Sequence, residues 1–205
     1  MNAAMSAAER GHEVTLYEKT GKLGGQALLS DGMWFKKEMK KFHEYLEHQV
    51  KKRPAITVVY NTEATPEIIE QNDFDAVIVA VGAEQIVPRI PGVEKAKMSF
   101  DEFGQEAILG IHLNGLGREC TVVEMGEFIA AKAQLTERTA YLNAIRDYKV
   151  ETMVNARCTE ITDKGAQVET PEGTKFLDAD TVIIAVGTKS LEAERDRFID
   201  TAFDV

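Results

Sequence analysis

The sequence predicts an α/β protein made of two copies of one structural unit. Residues 10–18 resemble residues 116–124, and Gly11 and Gly117 set a spacing of 106 residues. Residues 73–82 resemble residues 178–187 still more closely, with Gly82 and Gly187 spaced 105 residues apart. Two matched segments at nearly one spacing identify an internal repeat. Helix-like and strand-like patterns alternate in each copy, as is typical of layered α/β folds.

The first unit begins with a predicted helix over residues 1–10, where Ala3, Ala4, Ala7 and Ala8 are spaced three and four apart. Gly11 follows as the C-cap residue. Next comes a β-prone run, from Val14 to Tyr17, which is closed by Glu18.

A long amphipathic helix is predicted from Trp34 to Lys52. Its proposed apolar stripe consists of Phe35, Met39, Phe42, Leu46 and Val50. His43 and His48 are expected on the solvated face of this charged helix.

The remaining elements of the first unit are two strands and a helix start. A strand is predicted at Ile56–Tyr60, and Thr65 with Pro66 forms an N-cap followed by proline at the first helical position. The run Ala76–Val81 is apolar at every residue, which is typical of a strand covered on both faces.

The second unit repeats this order. The predicted elements are a helix tail at 111–116 capped by Gly117, a strand at 121–123 closed by Glu124, a helix at 135–146, a β-hairpin at 168–176 around Pro171-Glu172-Gly173, and an apolar strand at 181–186.

Composition excludes several functions. The formal net charge of −10 over 205 residues argues against a nucleic-acid partner, which needs clustered cations. Cys120 and Cys158 lie far apart and form no Cys-x-x-Cys pair, so neither thiol–disulfide catalysis nor a zinc site is expected. No metal site and no catalytic side chain are predicted. Without a signal peptide or a membrane-length apolar run, the expected location is the cytoplasm.

Two strand-end carboxylates are the main site candidates. In a dinucleotide-binding βαβ unit, an acidic residue at the end of the second strand accepts hydrogen bonds from ribose hydroxyls. Glu18 and Glu124 both hold that position, although an isolated strand-end carboxylate is often only solvated. Glu124 would repel the 2′-phosphate of NADP, so NADH is the expected nucleotide, with NADPH disfavoured. Arg118, which precedes the strand, is weak counter-evidence.

Glycine-containing segments supply the other candidates. After Glu18 and Lys19, the backbone at Gly24, Gly25 and Gln26 could approach a phosphate or a flavin edge, or form a plain turn. The two Ala-Val-Gly triplets bring small residues to the ends of apolar runs, where a flat ligand could fit. Their members are Ala80, Val81 and Gly82 in the first copy, and Ala185, Val186 and Gly187 in the second.

Four segments together resemble the flavoproteins with two dinucleotide-binding domains. They are Glu18–Gln26 (EKTGKLGGQ), Ala76–Ala83 (AVIVAVGA), Pro88–Gly92 (PRIPG) and Thr181–Thr188 (TVIIAVGT). The chain is most similar to the C-terminal part of NADH:flavin oxidoreductases of the 2,4-dienoyl-CoA reductase and enoate reductase type, including bile-acid-converting relatives.

This resemblance implies a three-layer, Rossmann-like FAD/NAD(P)-binding fold. FAD would bind residues 1–95 with 191–205, and NAD(P)H would bind residues 96–190. Glu18 and Lys19, Gly24 to Gln26 and Ala80 to Gly82 would line FAD, whereas Glu124, Ala185 and Gly187 would line the nicotinamide nucleotide. In such proteins a separate N-terminal barrel carries FMN, with a 4Fe-4S cluster between the two flavins. This barrel, as a domain or subunit, is the expected partner.

The chain departs from the family pattern at two matched places. Neither copy has the initial strand and Gly-x-Gly-x-x-Gly turn: Met1 already lies in the first helix, and Gly104–Gly110 runs straight into the back half of a helix. The Gly-Asp segment that would close over FAD is also missing. These differences indicate that residues have been removed, and they leave the pyrophosphate without a helix N-terminus.

Three functions are therefore compared. The first is an electron-transfer module that passes hydride from NADH to FAD and electrons onward to the partner. The second is a non-catalytic remnant that binds only a nucleotide or a protein. The third is a structural scaffold, which would show no rise in melting temperature with nucleotide.

We expect the purified chain to bind FAD weakly or not at all, because the turns that donate backbone N–H groups to the phosphates are missing. The visible absorbance of the purified protein measures this. A stoichiometric yellow flavin spectrum would contradict the expectation.

Overall fold

A computed structural model describes residues 1–98 and 105–202. The chain divides into two compact units, of which the first comprises Met1–Ala83 with Ser190–Val205 and the second Glu84–Lys189. The division after Ala83 comes earlier than the predicted one after residue 95.

Helices and strands alternate along both units. In chain order they are α1 Asn2–Glu9, β1 Val14–Glu18, a 3-10 segment Gly25–Gly32, α2 Lys37–Lys51, β2 Ile56–Tyr60, α3 Pro66–Gln71, β3 Ala83–Gln85, a 3-10 turn Val93–Lys95, β4 Lys97–Met98, α4 Gln105–Gly115, β5 Thr121–Val123, α5 Leu135–Asp147, β6 Glu151–Met153, β7 Arg157–Thr162, β8 Gly165–Thr170, β9 Gly173–Asp178, β10 Ile183–Ile184, β11 Thr188–Ser190 and α6 Glu192–Asp196.

The first unit is built on a parallel strand pair. Strands β1 and β2 run in register from Val14 opposite Ile56 to Glu18 opposite Tyr60. Helix α1 and the C-terminal end of α2 cover this pair, and the buried core consists of Ala4, Leu23, Val50 and Ile56. Alanine at the helix surface allows this close approach, and both predicted strands are confirmed.

The second unit repeats the parallel pair and adds an antiparallel sheet. Strand β5 pairs with β6, and the sheet β7–β8–β9 contains the predicted hairpin, with Thr170 opposite Gly173. The other paired strands are β10 with β4 and β11 with β3. A core between α4, α5 and the β5–β6 pair contains Ala107, Ile111, Val122, Ile129, Ala130, Ile145 and Val150.

The predicted helix ends are confirmed. Gly11 and Gly117 have φ angles of 91° and 77°, so each takes the left-handed conformation just after its helix. Thr65 is the N-cap of α3, and its Oγ1 accepts a hydrogen bond from the Ile68 amide. Pro66 occupies the first turn.

The prediction of two long, fully covered strands at 76–81 and 181–186 is wrong. Within the described structure, residues 77–81 belong to no strand, and the side chain of Ile78 is 71% exposed. In the second run only Ile183 and Ile184 pair, with Lys97 and Met98. Neither run has a strand partner along its whole length, so it lacks the ladder that would hold it extended.

The predicted apolar stripe of α2 is also only partly correct. Leu46 and Val50 are buried, but Phe35, Met39 and Phe42 are exposed by 37%, 43% and 49%. The third buried position is His43, which is 5% exposed, so its assignment to the solvated face is wrong. His48 is exposed as expected.

The helices of the described residues are too short or too polar to cross a lipid bilayer.

Gly92 and Gly117 make a matched test of close packing in the second unit, because their φ angles are 79° and 77°. A Cβ on Gly92 would lie 1.8 Å from the Ile161 carbonyl oxygen, whereas a Cβ on Gly117 would meet no atom within 4 Å. We expect Gly117→Ala to lower the free energy of unfolding by about 1–2 kcal/mol through backbone strain alone. Gly92→Ala should cost about 3 kcal/mol or more, because the Pro91–Ile161 hydrogen bond at 2.8 Å must also shift. Urea denaturation measures both, and equal losses would contradict this account.

Candidate nucleotide-binding sites

The carboxylate of Glu18 caps the turn that follows β1. Its Oε1 accepts hydrogen bonds from the Thr20 amide at 2.8 Å and from the Thr20 hydroxyl at 2.7 Å. The amide of Asn61 donates to the Thr20 carbonyl at 3.0 Å, and that of Thr62 donates to the Glu18 carbonyl at 3.1 Å. The turn is therefore tied to the chain leaving the neighbouring strand.

Glu124 has the same arrangement in the second unit. Its amide donates to the Met153 carbonyl at 2.8 Å, and its Oε1 accepts from the Gly126 amide at 2.6 Å. The amide of Asn155 donates to the Gly126 carbonyl at 2.8 Å, and that of Ala156 donates to the Glu124 carbonyl at 2.9 Å. Each hydrogen bond donated by a backbone amide in the first network has its counterpart here, whereas the Thr20 hydroxyl bond has none because Gly126 has no side chain. We call both arrangements the carboxylate turns.

Sequence reasoning missed the two asparagines of the carboxylate turns. Asn61 and Asn155 have φ angles of 53° and 50°, a left-handed conformation that asparagine adopts more readily than most residues. Each comes shortly after the second strand of its parallel pair. The two asparagines lie 94 residues apart (155 − 61), so the 105- to 106-residue spacing of the repeat does not pair them in the sequence.

The carboxylate turns leave one oxygen of each side chain available to a ligand. Among the described residues, Oε2 of Glu18 and Oε2 of Glu124 receive no protein hydrogen bond. An ionised carboxylate accepts hydrogen bonds only, and vicinal ribose hydroxyls are donors that match it. The arrangement can therefore orient a sugar at each strand end.

The structure brings two of the predicted cofactor segments together in the first unit. Gln26 Nε2 donates to the Ala83 carbonyl at 2.8 Å, which joins the Gly24–Gln26 turn to the end of the Ala80–Gly82 triplet. Gly24 and Gly25 have φ angles of 129° and 55°, so both need the freedom of glycine. Lys19, Ala80, Val81 and Gly82 are exposed.

The predicted residues Ala185 and Gly187 of the second unit lie just after β10. Gly187 has a φ angle of 95°, and its carbonyl accepts from the Ile86 amide at 3.1 Å. Ala185 is half-buried. Within the described part of the unit, neither residue forms a hydrogen bond with Glu124.

A cation that the sequence did not indicate contacts the loop after Glu124. It is Arg138, which belongs to helix α5. The guanidinium of Arg138 stands 5.4 Å from the centroid of the Phe128 ring, and its Nε donates to the Ile129 carbonyl at 2.9 Å. Arg118, the cation considered from the sequence, is exposed and precedes β5.

The two cysteines have the properties of inert thiols. Burial raises the pKa of both the Cys120 and Cys158 thiols above the ordinary value, so both remain protonated at neutral pH. Both are free. Among residues 1–98 and 105–202, no group of three or more His, Cys, Asp or Glu side chains is placed to hold a metal ion.

The chain is similar to several known proteins. Bilirubin reductase of Mediterraneibacter gnavus is 30% identical over 226 residues, covering 99% of this chain and 35% of that protein. NADH oxidase of Thermoanaerobacter brockii is 30% identical over 229 residues, covering 100% and 35%. The structure of 2-naphthoyl-CoA reductase in complex with 2-naphthoyl-CoA superposes with a TM-score of 0.83 at 23% identity, covering 98% of this chain and 34% of that one. The chain thus spans about a third of the length of these relatives.

The alignment with the NADH oxidase is longer than this chain, so the relative has additional residues within the aligned region. The match to the NADH oxidase takes in 229 residues against the 205 residues of this chain, which leaves at least 24 residues of the relative without a counterpart. The two family matches meet at residues 106–108.

The family described as pyridine nucleotide-disulphide oxidoreductase matches residues 1–108 and 106–197, which is nearly the whole chain. The predicted Rossmann-like α/β fold is confirmed by this match and by the superposition. The chain belongs to the pyridine nucleotide-disulphide oxidoreductase family.

Proposed function

We propose that this chain is the FAD- and NADH-binding part of a flavin-dependent oxidoreductase. The observation that carries the proposal is the pair of carboxylate turns, which have the same backbone-amide hydrogen bonds at Glu18 and at Glu124. A protein with one nucleotide needs one such turn, whereas hydride transfer between two nucleotides needs two. The family match supports the same chemistry.

The first unit is assigned to FAD. Glu18 would accept hydrogen bonds from the ribose of the adenosine half, since its Oε2 is open while Oε1 is held by Thr20. Gly24 and Gly25 carry no Cβ, so the backbone can lie close to a flat ring system. Gln26, fixed to Ala83, and the exposed Ala80–Gly82 triplet would extend the same surface. Lys19 would offer a cation to the phosphates.

The second unit is assigned to NADH. The ionised Glu124 would bind the two hydroxyls of the adenosine ribose and repel a 2′-phosphate. Ala185 and Gly187 would leave room for the nicotinamide half. Arg138 of α5, which contacts the following loop, is the group that could moderate the preference against NADPH.

Bound FAD supplies the redox chemistry, accepting a hydride from NADH and releasing electrons to a further acceptor. The acceptor we propose is a separate FMN barrel with a 4Fe-4S cluster, acting on an enoate-type substrate. Two observations support it: the relatives are about three times as long as this chain, and two of them are named as reductases of bilirubin and of 2-naphthoyl-CoA. We infer a cytoplasmic location from the same family.

A non-catalytic role is the second candidate. It is favoured by the 24 or more residues of the NADH oxidase that have no counterpart here, because the missing glycine-rich turn would donate backbone N–H groups to the pyrophosphate. Such a remnant would bind a nucleotide or a protein without turnover.

We expect NADH-dependent reduction of an artificial dye to require added FAD and to saturate only at high FAD concentration. The measurement is the initial rate of dye bleaching with NADH, with and without FAD, corrected for the rate without protein. If the rate with protein equalled the rate without protein at every FAD concentration, the non-catalytic role would be favoured.

Glutamine substitutions should separate the two sites, because glutamine keeps an oxygen for the turn but removes the negative charge. Glu18→Gln should weaken FAD binding and leave NADH binding unchanged, and Glu124→Gln should do the reverse. The loss of a charged hydrogen bond is worth about 1.5–3 kcal/mol, or roughly 10- to 100-fold in Kd. Glu124→Gln should also reduce the preference for NADH over NADPH.

Ligand-observed NMR titration suits these weak affinities. Glu127→Gln, an exposed carboxylate near Glu124, is the matched control and should change neither affinity. If both glutamine variants weakened the same nucleotide, or neither weakened any, the assignment of two sites would be wrong.

A further inference from the structure

His43 and Asp31 form a hydrogen-bonded pair of largely buried side chains in the first unit. His43 Nδ1 lies 2.7 Å from Asp31 Oδ1, and the two side chains are 5% and 15% exposed. In every ion pair that Lys or Arg forms with Asp or Glu among the described residues, at least one side chain is more than half exposed. Exposed pairs contribute little to structure, whereas a buried carboxylate is costly unless a donor is held against it.

The pair joins the 3-10 segment Gly25–Gly32 to helix α2. At the other end of the segment, Gln26 Nε2 donates to the Ala83 carbonyl. The turn is also closed on itself, since a Cβ on Gly24 would lie 2.8 Å from the Leu28 side chain. Two side-chain hydrogen bonds therefore fix the segment, one near each end.

The rest of the unit does not depend on this pair. Its core of Ala4, Leu23, Val50 and Ile56 holds α1, α2 and the β1–β2 pair together. Leu46 and Val50 keep α2 in place on the same face as His43. A short 3-10 segment has weak hydrogen bonds of its own, so loss of the pair would loosen the segment and spare the sheet.

We propose that Asp31 and His43 are positioning residues that hold the Gly24–Gln26 turn in the conformation that receives FAD. This inference rests on the proposed function, since it concerns the surface assigned to FAD. Asp31 accepts the Nδ1–H of His43 and so fixes the ring, while neither side chain needs to touch the cofactor. The Asp31–His43 pair would act through the segment that links Asp31 to Gln26.

The experiment compares two substitutions at position 43. His43→Leu keeps an apolar side chain in the buried site but removes the donor. His43→Asn places an amide nitrogen near the position of Nδ1, so it can still donate to Asp31. Asp31→Ala removes the acceptor, and His48→Gln, at an exposed position of α2, is the control.

The first readout is amide hydrogen exchange of residues 24–32. We expect His43→Leu and Asp31→Ala to accelerate exchange there by about tenfold or more, with no further acceleration in the double variant. His43→Asn should recover most of the protection, and amides of β1 and β2 should be unchanged in every variant. Unchanged exchange in His43→Leu, or equal acceleration throughout the unit, would overturn the proposal.

The second readout is the Kd for FAD from flavin fluorescence. His43→Leu and Asp31→Ala should raise it by a factor similar to the change in exchange, and His43→Asn and His48→Gln should keep it near the original value. Accelerated exchange with an unchanged Kd would overturn the positioning role and leave the proposed function standing. If the unaltered chain showed no saturable FAD binding, the proposed function would be wrong, and so would the role of the pair in FAD binding. The exchange data would still show whether the pair orders residues 24–32.

Discussion

The two sites depend on how a parallel strand ends. At a strand end the backbone loses its ladder partner, and the next free N–H groups need acceptors. Glu18 and Glu124 each supply one by bonding the amide two residues onward, and a left-handed asparagine from the adjacent strand closes the same turn. One carboxylate oxygen is thereby immobilised, and the other is presented in a fixed direction. A ligand that binds it meets a preorganised acceptor rather than a mobile side chain.

Much of the local structure followed from sequence because its causes are local. Val14–Glu18, Ile56–Tyr60 and the hairpin at Thr170 and Gly173 are set by residue type, turn chemistry and spacing. The apolar runs at 76–81 and 181–186 were wrongly predicted to be strands buried on both faces. An apolar run shows that a segment can be buried, but it does not show which neighbouring element would bury it. The same limit applies to Phe35, Met39 and Phe42, which follow a helical spacing but are exposed by 37%, 43% and 49%.

The sites were predictable where a repeat doubled the signal. Glu18 and Glu124 stood out because they occur at matched positions, although their ligands remain proposals. Asn61 and Asn155 were missed because their separation of 94 residues (155 − 61) falls outside the repeat spacing, and because the φ angle of an asparagine is not visible in sequence. His43 could not have been identified in this way. Its partner Asp31 lies twelve residues earlier in the chain. The spacing of His43 to Leu46 and Val50 places it, unlike His48, on the buried face of α2, but the predicted stripe did not include it.

The exposure of Ile78 has a consequence for the isolated chain. The run Ala76–Val81 contains six consecutive apolar residues without proline or charge, which is the composition that favours intermolecular β-stacking. Residues 77–81 lie outside any strand of the described structure, so their backbone amides and carbonyls can pair with another molecule. The formal net charge of −10 opposes such contacts through long-range repulsion, and salt screens that repulsion. Colloidal stability of this protein is therefore governed by ionic strength, and dilute buffer is the condition that preserves it.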